Sequence, residues 1–441
     1  MSYSRKSFSI FQRDILLFIS NTITGVVIAR TLGPDLRGLF AIVLLIPSYA
    51  ESFGRLKYDI AAIYFLGKQK VRLGEMIFIL NSIAAVSSML IIIIILLNFN
   101  NIYSYLFMNT EINMRFIAHL VLLIIPLQFI YINYSYMLIY LEDIEHYNKM
   151  VIFKALTGSI TSIVLIVGFG LGIKGAVIGS IAGYIIPVFI GVKYISVSEK
   201  AVVSFKINLL WEMTKFSFQY YITGIISYLH QYGSNLMLIY FVAPIQVGFF
   251  SMAKNQSQLI TKMIPAAVNT LLFPKISKSR DPNDSYMITI RSFRITLLIL
   301  IASGLLLTLV IKPLVWILYG SDYLPMILPF IIILPGFVIS QSSTIFNSYY
   351  SGIGRPDLVT KLSLLPLIAQ ILLSFMLMPR FGIIGGAIAF SSSNIILSIA
   401  SMLVFKKLTG ASAQDYIIKY TDISYVANFA RNYVITIIRK R

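Results

Sequence analysis

Long apolar runs separated by short polar loops follow one another along the whole chain. A run of about 20 apolar residues is long enough to cross the hydrocarbon core of a bilayer as a helix. The pattern therefore predicts an all-α polytopic membrane protein. We expect twelve transmembrane helices near residues 14–32, 38–66, 76–98, 116–140, 150–171, 175–195, 214–242, 246–273, 294–319, 325–350, 358–379 and 383–405.

The composition agrees with a membrane protein and excludes several chemistries. Of the 441 residues, 58% are hydrophobic and 12% are charged, about half the roughly 25% that is typical of soluble domains. The absence of cysteine excludes thiol catalysis, disulfides and thiolate metal sites. The three histidines, His119, His146 and His230, are too scattered to form a metal cluster. We therefore expect neither a metal nor another cofactor.

Basic residues are concentrated in alternate loops. The loops and tail on the side of the N-terminus, together with the span ends next to them, hold 26 of the 36 Lys and Arg residues, and the opposite loops with their span ends hold 6. Under the positive-inside rule this asymmetry places both termini in the cytoplasm, and an even number of spans agrees. We interpret the net charge of +19 as topology information and not as nucleic-acid binding.

Short segments recur at a constant offset along the chain. The segment ARTLGPDLRGLF from Ala29 aligns without gaps with IYFVAPIQVGFF from Ile239, and GIKGAVI from Gly172 aligns with GIIGGAI from Gly382, both at an offset of 210. A third pair, around Pro126, matches at 209. We interpret this as two parallel six-helix repeats around a central cavity, related by a pseudo-two-fold axis along the membrane normal. Such halves suit alternating access.

The repeat and the loops together define the expected domains. These are a cytoplasmic N-terminus (1–13), an N-terminal six-helix bundle (14–195), a cytoplasmic linker (196–213), a C-terminal six-helix bundle (214–405) and a basic tail (406–441). In the tail, apolar residues recur at helical spacing between basic ones, which predicts an amphipathic helix on the cytoplasmic leaflet. A partly disordered basic tail is the alternative.

Four segments carry a resemblance to a known family: TLGPDLRGLFAIV after the first span, PLVWILYGSDYLP closing the ninth, and GFGLGIKGAVIGS and RFGIIGGAIAFS opening the sixth and twelfth. They resemble the polysaccharide-biosynthesis, Wzx-type flippase family of the multidrug/oligosaccharidyl-lipid/polysaccharide (MOP) exporter superfamily. The resemblance implies a MATE-like fold and a flippase rather than an enzyme.

The same resemblance implies the cargo, partners and location. The flippase would move an undecaprenyl-diphosphate-linked repeat unit of O-antigen, capsule or a similar surface polysaccharide from the inner to the outer leaflet. Its location would be the bacterial cytoplasmic (inner) membrane. Besides the lipid bilayer and the lipid-linked glycan, its partners would include the polysaccharide polymerase and other export-pathway proteins.

Polar stripes on two spans predict the walls of the central cavity. From Ser48 to Asp59 in span two, and from Lys254 to Lys262 in span eight, polar side chains recur along one helical face, and the two stripes coincide at the offset of 210. Polar groups inside a membrane normally face the bundle interior or a water-filled cavity. We therefore predict a substrate-binding set consisting of Arg55, Lys254, Lys262, Gln258, Asn21, Gln219 and His230.

Cationic side chains in this set suit a diphosphate, and the amides suit sugars. Glu51, the deepest carboxylate, and Asp14 are the candidates for coupling to a proton or sodium gradient. Alternatives stay open. Glu51 and Arg55 form an i,i+4 pair that could neutralise itself, Asp14 could form an interfacial pair with its neighbour Arg13, and His230 could be a hydrogen-bonded structural residue.

Three rival functions remain at the level of the sequence. A multidrug or cation antiporter of the same superfamily should prefer acidic residues, whereas the deep charges here are four cations against two carboxylates. A lipid II flippase usually resembles a fourteen-span chain, and we expect twelve spans. A membrane-embedded polymerase or ligase should carry a large outer loop, whereas the outer segments near 98–115 and 319–325 are short.

Overall fold

The computed structural model describes residues 3–198, 202, 207–278 and 281–428. Within these ranges the regular elements are helices and no strand occurs. The α-helices are α1 (Tyr3–Val43), α2 (Leu45–Gly54), α3 (Tyr58–Gly67), α4 (Leu73–Leu97), α5 (Phe99–Leu106), α6 (Arg115–Leu120), α7 (Ile124–Tyr140), α8 (Ile144–Ile163), α9 (Gly172–Ser198), α10 (Ile207–Phe241), α11 (Pro244–Lys278), α12 (Pro282–Leu318), α13 (Ile327–Gly352) and α14 (Asp357–Thr409).

The chain is a multi-pass membrane protein. Among the described residues, 8 helical segments are long and apolar enough to cross a membrane. Two of them, Gln12–Gly54 and Asp357–Thr409, are 43 and 53 residues long, and each is broken at a glycine with positive φ, Gly33 (72°) or Gly382 (52°). Helices α10 and α11, at 35 residues each, are long but more polar. These helices are consistent with the twelve expected spans.

The second expected span, 38–66, is not one continuous helix. Helix α2 ends at Gly54 and α3 begins at Tyr58, and both Leu56 (φ 54°) and Lys57 (φ 57°) have left-handed backbone, which is uncommon for residues other than glycine. The prediction of one straight polar stripe from Ser48 to Asp59 is therefore wrong at this point.

Side chains from the first part of α10 compensate for this break. The Ser217 hydroxyl donates to the Lys57 carbonyl at 3.3 Å, and the Tyr221 hydroxyl donates to the Phe53 carbonyl at 2.7 Å. A broken helix at membrane depth is tolerated only where neighbouring groups satisfy the released backbone groups. The break is therefore a supported feature, and the local pattern of apolar residues does not reveal it.

The described chain forms two compact units. Unit 1 consists of Met1–Tyr228 and Val242–Gly248, and unit 2 consists of Leu229–Phe241 and Phe249–Arg441. The border between them lies within α10, whereas the sequence analysis places it in the linker 196–213, part of which is already helical because α10 begins at Ile207. The two six-helix bundles with borders at 195 and 214 stay a prediction.

Glycines that are equivalent in the repeat have equivalent geometry in each unit. Gly172 opens α9 with φ 53°, and Gly382 breaks α14 with φ 52°, a conformation that costs glycine little. Three residues later, a Cβ added to Gly175 would lie 3.0 Å from the nearest side-chain carbon, and one added to Gly385 would overlap a backbone oxygen. The offset of 210 therefore marks the same turn and the same close approach in both units.

The first part of the tail packs against unit 2. The side chains of Arg294 and Asp422 form an ion pair at 2.7 Å and are 9% and 1% exposed. The Tyr416 hydroxyl donates to the Met402 carbonyl at 2.9 Å, and its ring packs edge-to-face with that of Phe293. This docking is a contact that the sequence analysis did not anticipate. Residues 429–441, where the predicted amphipathic helix ends, lie outside the described residues, so its contact with the leaflet stays a prediction.

Candidate functional site

Arg55 lies in a buried ion-pair cluster of unit 1. Its Nη2 is 2.7 Å from Asp59 Oδ1 and its Nη1 is 3.7 Å from Glu51 Oε1. These three residues lie on the two sides of the helix break between α2 and α3. Two carboxylates thus neutralise the guanidinium. The structure contains the Glu51–Arg55 pair that the sequence analysis gave as an alternative. Whether Arg55 contacts substrate stays a prediction.

Glu51 has a second partner that the sequence analysis missed. The Gln128 side-chain amide on α7 donates to Glu51 Oε2, so this carboxylate is held from two helices. An amide in the apolar run around Pro126 is itself a signal, because polar groups inside a span are costly and are normally buried for a purpose. The proposed role of Glu51 in ion coupling is untested.

A cavity of about 560 Å³ lies within unit 1. Residues of α1, α2, α7, α8 and α9 line it, and among them are the predicted Asn21 and the missed Gln128 and Lys154. Its volume falls in the range of about 300–1,000 Å³ that is common for small-molecule pockets. The lining combines rings, hydroxyls, amides and an ammonium group, and so offers partners for a polar ligand.

Two cations, Arg37 and Lys154, are among the lining residues, and Arg37 already lies over the Phe40 ring. The Lys154 Nζ lies 4.4 Å from the centre of the Tyr184 ring and 4.9 Å from that of Tyr131. The residue lies near the start of the predicted span 150–171, where a long basic side chain is expected to reach the interface by snorkelling. In the structure α8 begins earlier, at Ile144, so Lys154 lies well inside the helix.

The other predicted residue near the N-terminus, Asp14, follows its alternative interpretation. Its carboxylate is 46% exposed and lies 2.8 Å from Arg13 Nη2. Arg13 also donates to Asn148 Oδ1 at 3.1 Å, which ties α1 to α8. Asp14 is thus paired with its neighbour Arg13, which itself connects α1 with α8. Coupling through Asp14 stays a prediction.

Lys254 is a buried cation of unit 2. Its Nζ donates to the Gln231 carbonyl at 2.5 Å and to Asn235 Oδ1 at 2.7 Å. The rings of Tyr232 and Phe390 lie 4.9 and 5.3 Å from the same nitrogen. Oxygen acceptors and aromatic faces thus stabilise the charge, and the residue is 1% exposed. In this conformation its ammonium is engaged by unit 2 itself.

Lys262 and Gln258 lie further along the same helix. Gln258 Oε1 accepts from Lys262 Nζ at 3.2 Å and from Gln231 Nε2 at 3.3 Å. Gln231 therefore connects the environment of Lys254 with that of Lys262. The Lys262 side chain is exposed, so of these two lysines it is the one that an incoming anion can reach without a rearrangement.

His230 belongs to a buried polar chain in unit 2. Its Nε2 lies 3.1 Å from Ser393 Oγ, and Gln370 links Ser393 with Ser234. His230 thus has the kind of hydrogen bond that the structural alternative requires, and its role in substrate binding stays a prediction. Gln219, by contrast, belongs to unit 1 and is exposed on α10. The predicted site residues thus fall into separate sets in the two units.

No group of three or more His, Asp or Glu side chains suited to holding a metal ion occurs in the described ranges. The side chains described above offer charge, hydrogen bonds and aromatic faces for the recognition of a ligand. Such an arrangement suits binding and release.

The chain is similar in fold to several solved structures. Lipid II flippase MurJ in an inward closed conformation matches with a TM-score of 0.76 at 17% identity, covering 93% of this chain and 88% of that one. An inward-facing multidrug resistance MATE family transporter of the MOP superfamily matches at 0.72 and 15%, covering 90% and 96%.

A variant of the MATE transporter VcmN from Vibrio cholerae has a TM-score of 0.63 and 15% identity, covering 94% and 99%. No curated protein sequence matches the chain. A family profile described as polysaccharide biosynthesis protein matches residues 27–328, which is more than half of the chain. On this evidence the chain belongs to the polysaccharide biosynthesis protein family and has the helical fold of the MOP exporters.

Proposed function

We propose that this protein is a flippase that moves an undecaprenyl-diphosphate-linked oligosaccharide from the inner to the outer leaflet of the bacterial cytoplasmic membrane. Membership of the polysaccharide biosynthesis family carries the proposal, since a multi-pass protein of such a pathway has lipid-linked sugars to transport. The MOP fold supports a transporter that works by alternating access rather than an enzyme. Both termini are then cytoplasmic, and a proton or sodium gradient is the proposed driving force.

The charge of the site supports an anionic cargo. Arg55 is neutralised by carboxylates, whereas no described residue forms an ion pair with Lys154, Lys254 or Lys262. This surplus of positive charge disfavours cationic drugs and suits a diphosphate headgroup. A multidrug antiporter is therefore the weaker candidate, and the likeness to MurJ keeps a lipid II flippase as the second one.

Depletion of the protein in its host tests the proposal. We expect lipid-linked oligosaccharide to accumulate in the inner leaflet, where an added lectin or glycosidase reaches it only after the cells are opened. Normal exposure of the glycan on the outer leaflet would refute the flippase. Accumulation of lipid II instead would favour the second candidate function, a lipid II flippase.

A matched pair of variants connects the phenotype with the site. In depleted cells, the Lys262→Ala variant should be present at normal levels but should not restore export, because the exposed cation proposed to bind the cargo is lost. Lys361→Ala removes an exposed lysine paired with Asp357 at 3.2 Å and should restore export fully. Equal restoration of export by both variants would show that substrate binding does not need Lys262.

A further inference from the structure

The cavity within unit 1 holds a charged group at membrane depth. Lys154 lies 10 residues after the start of α8 at Ile144, which corresponds to about 15 Å at about 1.5 Å of rise per residue. An ionisable residue at such a depth is expensive and generally marks a functional site. The position of Lys154 therefore requires an explanation beyond packing.

The Lys154 ammonium has room for a further partner. Two tyrosine rings hold it from the side, but a ring face does not replace the three hydrogen-bond acceptors that an ammonium group can use. Among the described residues, none accepts a hydrogen bond from it or forms an ion pair with it. The carboxylate whose field reaches it, Glu51, is committed to Arg55 and Gln128.

The remaining lining suits a hydroxyl-rich ligand. The Asn21 side chain makes no hydrogen bond with any described residue, and Gln128 uses only its nitrogen, for Glu51. Hydroxyls of Thr24, Ser159 and other residues surround them. These are the few convergent polar groups that give a small-molecule pocket its specificity.

We propose that this cavity is a binding site for a carboxylate-bearing sugar, with Lys154 as the partner of the carboxylate and Asn21 and Gln128 as partners of the hydroxyls. The proposal deepens the proposed function, because it makes an acidic sugar unit part of the cargo. Arg37, the second cation of the lining, already interacts with other groups of the protein. One lysine near Glu51 is therefore left for the ligand and matches one negative charge, whereas a phosphate or diphosphate calls for more cations.

Binding to the purified full-length protein in nanodiscs tests this without any transport step. The probe is methyl β-glucuronide, followed by saturation-transfer NMR, and neutral methyl β-glucoside is the comparison. We expect binding of the glucuronide to weaken about tenfold or more in Lys154→Met, because a hydrogen bond to a charged group is lost. Binding of the glucoside should be weak in both proteins.

Lys149→Met is the matched control. Lys149 is on the same helix but is paired with Glu145 at 2.7 Å on the exposed surface, so its loss should leave the binding unchanged. Should Lys154→Met not fold, Asn21→Ala tests the same site and should weaken binding several-fold. Size-exclusion profiles and thermal midpoints verify that each variant is folded.

The outcomes separate the two proposals. No glucuronide signal in the wild type, equal signals in wild type and Lys154→Met, or displacement by an equal concentration of inorganic phosphate would each overturn the sugar site. If the depletion experiment shows trapped lipid-linked glycan, the flippase stands even so. Binding that depends on Lys154, without any change of glycan leaflet on depletion, would instead support the site and refute the flippase.

Discussion

At the scale of single residues, this protein stabilises buried charges in two ways. Arg55 is surrounded by carboxylates, whereas Lys254 is held by a backbone carbonyl, an amide oxygen and aromatic rings. A buried ion pair costs desolvation on both sides, and removal of one partner leaves the other exposed to the full cost. The two environments therefore predict different consequences of mutation.

Asp59→Asn should destabilise the protein by about 3–5 kcal/mol, because it leaves the buried Arg55 with only the more distant Glu51. The thermal unfolding midpoint of the purified protein measures the effect. The exposed Asp35→Asn is the control and should leave the midpoint unchanged. The double variant Arg55→Met with Asp59→Leu replaces both partners by apolar residues and should recover most of the lost stability. If it does not, the effect of Asp59→Asn is not explained by an unpaired Arg55.

At the scale of elements, the segment after α14 is anchored by one buried ion pair. Arg294 on α12 donates to both carboxylate oxygens of Asp422 and to the carbonyl of Asp415. Burial raises the pKa of Asp422, but the hydrogen bonds from Arg294 and the Lys419 N–H, together with the charges of Arg294 and Arg291, outweigh it and hold the pKa of this carboxyl below its usual range. The tail thus depends on a charge that can be titrated.

Asp422→Asn should release the segment 411–428 from unit 2, because it removes the charge that pairs with Arg294. Limited proteolysis at neutral pH should then cut the segment faster. Asp415→Asn changes a partly exposed carboxylate that is bonded to Ser412 within its own turn, and it should have a much smaller effect. In the wild type, a lowered pKa contributes stability above the unfolded value of about 3.9, and this is lost as the pH falls further. Hydrogen exchange should show the same release in acid, and unchanged protection there would contradict the anchor.

At the scale of the whole molecule, the orientation in the membrane stays a prediction from the distribution of basic residues. Since the chain contains no cysteine, single substitutions give unambiguous labels. Lys68→Cys and Ser412→Cys should react with an impermeant maleimide only after the cells are opened, and Glu111→Cys should react in intact cells, because the predicted topology puts these exposed positions on opposite sides of the membrane. The reverse pattern would place the termini outside.

Much of the architecture was determined by the sequence alone. A backbone in lipid must satisfy its own hydrogen bonds, so apolar runs of sufficient length become helices whatever their neighbours. The repeat in the sequence also predicts a repeat in local structure: Gly172 and Gly382 have nearly the same backbone φ, one in each unit. These features depend on local chemistry and on spacing, which a single chain displays directly.

The partners of the polar groups were decided only by the tertiary structure. Gln128 on α7 donates to Glu51 on α2, and the packing of α7 and α9 against α8 places Lys154 beside two tyrosine rings. These contacts depend on the rotation and crossing of helices that lie far apart in sequence. A periodic pattern records which face of a helix is polar, but it does not record which helix that face meets.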